Sequence, residues 1–277
     1  MTNPFVTTAW LAENLSNPNV VVVDGSWHMP TASRNAQAEY LDGHIPGAVF
    51  FDIDGIADPT TDLPHMLPAP ADFERAVGAL GISETMTIVV YDEVGLQSAP
   101  RVWWTFRTFG AKNVYILEGG GPKWRAERRP IEAGLVRRER VDFDSDFDPD
   151  AVTHFEAVAE TSRTRSGQIV DARPAPRFHA EVPEPRPGLK GGHIPNSLNV
   201  PVGVLSEGGI LKSPGELRTI FADRGVDLTK PIVTSCGSGI TAVTLALALE
   251  QAGAKNVAVY DGSWTEWGAH PDAEIES

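Results

Sequence analysis

The amino-acid sequence predicts an α/β fold built by tandem duplication, in which each copy is a mostly parallel sheet flanked by helices. The phrase Gly-Ala-Lys-Asn-Val occurs twice, at Gly110–Val114 and at Gly253–Val257. Other matched segments, such as the His-Ile-Pro phrases at His44 and His193, are separated by nearly the same interval, between 143 and 149 residues. A near-constant interval of this length indicates two homologous domains rather than a short-period solenoid.

Short apolar runs alternate with helical patterns in both halves, as expected of a parallel sheet covered by helices. The predicted strands of the first half are Val20–Val23, Ala48–Phe51, Thr87–Tyr91 and Val114–Leu117, and its predicted helices are Thr8–Asn14, Pro70–Leu80 and Ala99–Phe109. The predicted strands of the second half are Gln168–Asp171, Ser197–Asn199, Ile232–Ser235 and Val257–Tyr260, and its predicted helices are Thr153–Thr161, Ser213–Arg224 and Gly239–Ala252.

The chain length of 277 residues suits two domains of ordinary size. We place the first domain at residues 1–140 and the second at residues 141–277. The segment from Arg125 to Ala151 changes from basic to acidic, and such a charge run predicts a solvated linker.

Composition excludes several classes of partner. The net charge of −14 and the absence of a basic stripe argue against nucleic acid and against an anionic membrane. No apolar run approaches a membrane span, and the N-terminus does not resemble a signal peptide. A single cysteine cannot form an intramolecular disulfide, which fits a reducing compartment. We therefore expect a cytoplasmic protein.

The chemistry is concentrated around that single cysteine, Cys236. Placing Ile88 opposite Ile232 puts Asp92 of the first half opposite Cys236. One copy thus carries a carboxylate where the other carries a thiol, and we expect the first domain to be non-catalytic.

The context of Cys236 indicates a reactive thiol. An apolar strand precedes it, the loop Cys236-Gly-Ser-Gly-Ile-Thr241 follows, and a strongly helical segment comes next. Backbone N–H groups at such a strand–loop–helix turn, together with the helix dipole, favour the thiolate. A phosphatase with this loop needs an arginine six residues after the cysteine, but residue 242 is Ala. Papain-like acyl transfer does not predict a duplicated domain.

Four features together resemble the rhodanese superfamily, and within it the two-domain mercaptopyruvate sulfurtransferases. They are the duplicated layout, the His-Ile-Pro-Gly turn that begins at His44, the loop beginning at Cys236 and the ending Tyr260-Asp-Gly-Ser-Trp-Thr-Glu-Trp267. The resemblance covers essentially the whole chain and implies two rhodanese-like domains. It also implies that Cys236 takes a sulfur atom from 3-mercaptopyruvate as a persulfide and passes it to a thiol acceptor, such as thioredoxin, or to cyanide.

The loop residues Gly237, Gly239, Ile240 and Thr241 are expected to hold the anionic persulfide through their backbone N–H groups, as an oxyanion hole holds developing charge. Thiosulfate-specific relatives usually carry basic residues in this loop. Here the loop has none, and a neutral loop suits a donor whose negative charge is a carboxylate away from the reacting sulfur.

The resemblance also implies the residues that bind the keto acid. They are the arginines of an Arg-Phe pair and of a Glu-Pro-Arg phrase, here Arg177 and Arg186. A guanidinium fork matches a planar carboxylate. We expect Arg173 to form a structural ion pair with Asp171.

For proton transfer, the family pattern points to Ser238 of the loop with His65 and Asp54 of the first half. Such a Ser/His/Asp arrangement could move a proton to the departing enolate.

Two alternatives stay open at this stage. One is a thiosulfate:cyanide sulfurtransferase, and the other is a persulfide carrier or regulatory binding module. No His/Cys cluster has the spacing of metal ligands and no nucleotide-binding fingerprint occurs, so we expect neither a metal nor another cofactor.

Overall fold

A computed structural model describes residues 3–277, and these residues form two compact units. The N-terminal unit contains residues 3–59, Leu67–Asp148 and Gly208–Ile210. The C-terminal unit contains Thr60–Met66, Pro149–Glu207 and Leu211–Ser277. A seven-residue segment of the first half of the chain therefore belongs to the C-terminal unit.

The N-terminal unit contains a five-stranded parallel sheet. Its strands are β1 (Phe5–Val6), β2 (Val20–Asp24), β3 (Val49–Phe50), β4 (Thr87–Tyr91) and β5 (Val114–Leu117), in the order β1-β5-β4-β2-β3. Its helices are α1 (Thr8–Asn14), α2 (Ala36–Asp42), α3 (Pro70–Ala79), α4 (Ala99–Thr108) and α5 (Gly120–Ala126). Strand β2 is buried along its whole length, which explains why it reads as a continuous apolar run.

The C-terminal unit repeats this topology. Its main strands are β6 (Val152–Thr153), β7 (Gln168–Asp171), β8 (Leu198–Asn199), β11 (Ile232–Ser235) and β12 (Val257–Tyr260), in the order β6-β12-β11-β7-β8. A short hairpin of β9 (Ser206–Glu207) and β10 (Ile210–Leu211) lies between them in the chain. The helices are α6 (Phe155–Thr164), α7 (Ala175–Phe178), α8 (Pro214–Asp223), α9 (Ile240–Ala252) and α10 (Ser263–Trp267). The predicted tandem α/β fold is confirmed.

The two His-Ile-Pro turns have the same structural role in their units. The His44 Nδ1 atom lies 2.7 Å from the carbonyl oxygen of Tyr40, and the His44 backbone forms an antiparallel bridge with Glu132. The buried His193 is held in the same way, because its backbone bridges to Glu276. In each unit the segment after the last helix thus returns to this turn.

Local sequence located most strands and helices but missed the shortest ones. Strands β1, β6, β9 and β10 and helices α2, α5, α7 and α10 were not predicted. Helix α6 begins two residues later than predicted, because Val152 and Thr153 pair with β12 instead. Strands β1 and β6 pair with β5 and β12, which are distant in sequence, and a local pattern does not contain such partners.

The segment predicted as a solvated linker is more structured than expected. Its acidic side chains are exposed, but Phe143 is buried and its ring lies 5.3 Å from that of Phe73. The backbone N–H of Asp146 donates to the carbonyl of Phe109. The linker is therefore fastened to the N-terminal unit by an aromatic side chain that alternates with the acidic residues. Within residues 3–277, no helix is long and apolar enough to cross a membrane.

Candidate active site

Cys236 lies at the carboxyl end of the central strand β11, directly before the glycine-containing loop. Its side chain is buried, with 2% relative exposure. Gly239 adopts the left-handed region with a φ of 83°, and α9 begins at the next residue, Ile240. A residue with a Cβ atom is strained in that conformation, so the second glycine of the loop is needed to join strand to helix.

Helix α10 holds the backbone of the cysteine loop. The Ser263 hydroxyl accepts the Cys236 N–H at 3.1 Å and donates to the Tyr260 carbonyl at 2.8 Å. The N–H groups of Trp264 and Thr265 donate to the carbonyls of Cys236 and Gly237, at 3.0 and 2.9 Å. These bonds fix the orientation of the first two peptide groups of the loop.

Ser263 adopts this position at an energetic cost. Its φ is +49°, in the left-handed region that disfavours a residue with a side chain, at a cost of about 1 to 3 kcal/mol. The corresponding residue of the N-terminal unit, Gly120, has a similar φ of +56° without that cost. Ser263 was not among the residues predicted from the sequence. The Ser/Gly difference between the two copies is the signal that could have found it.

The loop and the first turn of α9 form the environment of the thiol. The first N–H groups of a helix have no acceptor within the helix, and they carry the positive end of its dipole. Ser238 and Ile240, on either side of Gly239, are both buried. A negative charge on the Cys236 sulfur would therefore be stabilised by backbone N–H groups in a buried environment.

A largely buried chain of four charged side chains extends to this loop. Arg173 forms ion pairs with Asp171 at 2.7 Å and with Glu184 at 2.9 Å. Glu184 also pairs with Arg177, at 2.5 Å between its Oε2 and the Arg177 Nη2. The predicted ion pair between Arg173 and Asp171 is confirmed.

Arg173 stays charged although it is buried. Burial alone would lower its pKa, but the negative charges of Asp171 and Glu184 outweigh that effect and raise its pKa above the ordinary value. Its guanidinium also lies 4.2 Å from the ring centre of Trp264, in a cation–π contact. Arg173 therefore connects the charged chain to helix α10.

Arg177 brings the charged chain to the cysteine loop. It lies on the short helix α7, and its Nη2 atom is 3.1 Å from the point that a Cβ atom would occupy at Gly237. A larger residue at Gly237 would press against this guanidinium. The first glycine of the loop thus gives space to the predicted substrate-binding arginine.

The other predicted keto-acid ligand, Arg186, lies beside His65 within the C-terminal unit. The Arg186 Nη2 atom is 3.4 Å from the His65 Nε2 atom, and His65 is buried. Because arginine is only a donor, this contact favours the imidazole tautomer in which Nε2 is an acceptor. The structure thus brings together two residues that are far apart in the sequence and that were predicted separately.

Asp54 lies in the N-terminal unit and is exposed. Its Oδ2 atom accepts a hydrogen bond from the indole N–H of Trp27 at 3.0 Å. The proton relay of Ser238, His65 and Asp54 remains a prediction.

In the corresponding loop of the N-terminal unit, a carboxylate accepts the backbone N–H groups. The carboxylate of Asp92 accepts five backbone N–H groups at 2.5 to 2.9 Å, donated by Val94, Gly95, Gln97, Ser98 and Ala99. These residues form the loop after β4 and the start of α4. The carboxylate at the cysteine position therefore occupies an anion-binding nest of its own loop.

Comparison with known proteins agrees with the duplicated architecture. A family model for the rhodanese-like domain matches the chain twice, at residues 7–127 and 155–270. The chain belongs to the rhodanese family. The two matches agree with the duplicated layout, and the predicted membership of this family is confirmed.

Rhodanese relatives match nearly the full length of the chain. The 3-mercaptopyruvate sulfurtransferase of Escherichia coli K12 is 48% identical over 98% of this chain and 97% of its own length. The thiosulfate/3-mercaptopyruvate sulfurtransferase 1, mitochondrial, of Arabidopsis thaliana is 40% identical over 99% of this chain and 78% of its own. The crystal structure of the 3-mercaptopyruvate sulfotransferase SseA from Escherichia coli has a TM-score of 0.88 and 46% identity, covering 96% of this chain and all of that one.

Proposed function

We propose that this rhodanese-family protein is an enzyme, a 3-mercaptopyruvate sulfurtransferase, in which Cys236 carries the transferred sulfur. The observation that carries this proposal is the position of Arg177, whose guanidinium lies against Gly237 of the cysteine loop. A cation at this distance suits a donor that has a carboxylate near, but not on, the reacting sulfur. The full-length similarity to proteins named 3-mercaptopyruvate sulfurtransferase supports the same donor.

The first half-reaction forms the persulfide. The Cys236 thiolate attacks the sulfur of 3-mercaptopyruvate, an S–S bond forms and the carbon–sulfur bond breaks. Its electron pair goes to the organic fragment as the enolate of pyruvate. The proton of the donor thiol moves to the enolate carbon, so that pyruvate leaves and Cys236 carries an anionic persulfide. N–H groups around Gly237, Gly239, Ile240 and Thr241 are suited to stabilise this anion.

Proton transfer is assigned to Ser238, with His65 and Asp54 as its partners. Ser238 is buried two residues after Cys236, which supports its role as the group nearest the proton. His65 belongs to the same unit and contacts Arg186, a proposed keto-acid ligand. In this arrangement Arg186 connects substrate binding to the relay.

The second half-reaction returns the enzyme to its starting state. An acceptor thiolate or cyanide attacks the outer sulfur of the persulfide, the S–S bond breaks and the Cys236 thiolate leaves. The products are an acceptor persulfide or thiocyanate. We propose a protein thiol such as thioredoxin as an acceptor, and a cytoplasmic location, which the single cysteine supports. The relative from Arabidopsis is named as mitochondrial, so location varies within the family.

Thiosulfate is the second candidate donor, because the name of the Arabidopsis relative includes both donors. In that reaction sulfite, rather than pyruvate, leaves after attack by Cys236. The absence of Lys and Arg from the loop favours 3-mercaptopyruvate.

Steady-state kinetics with both donors test the proposal. We expect kcat/KM for 3-mercaptopyruvate to exceed that for thiosulfate by about 100-fold, with cyanide and with one thiol acceptor. The Cys236→Ser variant serves as the blank and should form no product. A preference for thiosulfate would support the second candidate, and no turnover of either donor would support a persulfide carrier or binding module instead.

A further inference from the structure

Glu184 occupies the centre of the charged chain beside the cysteine loop. Its side chain has a relative exposure of 1%. One carboxylate oxygen, Oε1, accepts from Arg173 Nη1 at 2.9 Å and from Arg177 Nε at 3.2 Å, and the other accepts from Arg177 Nη2 at 2.5 Å. Both oxygens are thus used, and the two-point contact fixes the plane of the Arg177 guanidinium.

Glu184 also sets the charge beside the loop. The chain consists of two carboxylates, Asp171 and Glu184, and two guanidinium groups, Arg173 and Arg177. These four charges sum to zero. Arg177 lies against Gly237 of the loop, and its side chain has 18% relative exposure, whereas that of Arg173 has 1%. Glu184 therefore partly neutralises the cation that lies against Gly237.

We propose that Glu184 determines the choice of sulfur donor. By cancelling much of the Arg177 charge while fixing its orientation, Glu184 favours a keto acid with one negative charge over thiosulfate, which carries two. In a partly buried site, the attraction between the Arg177 guanidinium and an anionic donor at the loop is strong enough to change a donor preference severalfold or more. Glu184 is a positioning residue, because it acts through Arg177. The inference rests on the proposed function.

The decisive variant removes the charge and keeps the shape. In Glu184→Gln the chain keeps two cations and one anion, so the loop gains positive charge. We expect the ratio of kcat/KM for thiosulfate to that for 3-mercaptopyruvate to rise about tenfold. This gain should shrink as ionic strength increases, because salt screens the added attraction.

Two control variants are needed. One changes the position of the carboxylate at residue 184 without changing its charge, and the other changes the net charge of the protein far from the loop. Glu184→Asp keeps the charge but shortens the arm, so KM for 3-mercaptopyruvate should rise while the donor ratio stays within about twofold of that of the original chain. Glu160→Gln removes a carboxylate from an exposed pair with Arg163 and should change neither donor. A loss of stability alone would lower both activities together and would leave the ratio unchanged.

The inference is wrong if folded Glu184→Gln keeps the original donor ratio, or if Glu184→Asp shifts it equally. Should Glu184→Gln not fold, the same change is made in an Arg177→Gln background, where Asp171 and Arg173 remain a balanced pair. Because Glu184 acts through Arg177, the donor ratio must be the same in the single Arg177→Gln variant and in the double variant; a ratio that changes between them also overturns the inference. If the original chain uses neither donor, the proposed function fails and this inference fails with it. If it uses 3-mercaptopyruvate normally, only the role of Glu184 is at stake.

Discussion

The loops after β4 and β11 occupy equivalent places in the two units but are filled in opposite ways. In the N-terminal unit, Asp92 supplies its own anion to the loop, and five backbone N–H groups surround its carboxylate. In the C-terminal unit, Cys236 has the equivalent position, and its thiol must gain a negative charge to resemble that carboxylate. A loop that binds its own side chain is closed to substrate, whereas a loop with a thiol can bind an anion as a reaction intermediate.

A second comparison concerns the aspartates that end β2 and β7. Asp171 pairs with Arg173, two residues later. The equivalent Asp24 is followed by Ser26, whose backbone N–H donates to it at 2.9 Å. The same buried carboxylate is therefore paired with a guanidinium in the C-terminal unit, whereas in the N-terminal unit it accepts an N–H group of its own loop. We expect the arginine to be present where charge has to be held next to a reacting group.

Asp92→Asn gives the largest expected effect on stability. The amide can present only one oxygen to the five N–H groups, and its own NH₂ group then faces donors. We expect the N-terminal unit to lose about 4 kcal/mol, since bonds to a charged acceptor contribute about 1.5 to 3 kcal/mol each. Hydrogen exchange of the β4 amides measures this loss, and the β11 amides serve as the internal control. A loss below about 1 kcal/mol would contradict the interpretation that the five N–H groups stabilise the Asp92 carboxylate.

Asp171→Asn should have a somewhat smaller effect, in the other unit. Arg173 would keep its contact with Glu184 but lose its pair with Asp171. We expect a loss of about 3 kcal/mol, because removal of one partner leaves a buried charge incompletely balanced. Hydrogen exchange of the β7 amides is the measurement, with those of β2 as the reference. Equal losses in both units would mean that the effect is not local to this ion pair.

Part of the difference between the two loops could be predicted from the sequence. The near-constant interval between the copies places Asp92 opposite Cys236, and the strand–glycine–helix pattern around Cys236 is local. The five hydrogen bonds to Asp92 depend on the backbone conformation of the loop, and the residue pattern does not predict that conformation. The same limit applies to Ser263, since its hydroxyl reaches Cys236 from 27 residues away.

Glu184 was missed for a related reason. It lies in a proline-rich stretch without periodicity, in which Arg177 and Arg186 match the family pattern and Glu184 matches no motif. Its proposed role follows from contacts with Arg177 on α7 and with Arg173, two residues after β7, and these contacts depend on how the loop folds back. Charge balance in a buried site is thus a three-dimensional property, although each member is visible in the sequence.

Asp24 offers a test in which a substitution should stabilise the protein. Asp24 has 1% relative exposure, and burial, which disfavours the charged form, raises its pKa from 3.8 to about 6. A carboxyl with a raised pKa stabilises the fold when it is protonated. That contribution is fully present below the unfolded-state pKa of 3.8 and is lost as the pH rises through about 6. Around neutral pH the folded N-terminal unit therefore carries an unfavourable buried charge.

Asp24→Asn removes this charge and can keep the acceptor for the Ser26 N–H. We expect a gain of about 2 kcal/mol near pH 7, declining to about zero near pH 4, where the native carboxyl is neutral too. Urea unfolding at several pH values measures the gain, with Asp171→Asn as the opposite control, since an ion-paired aspartate should lose stability on the same change. An equal gain at both pH values would point to packing rather than ionisation as its cause. A loss near pH 7 would mean that Asp24, like Asp171, is balanced by a positive charge, and the contrast between the two aspartates would not hold.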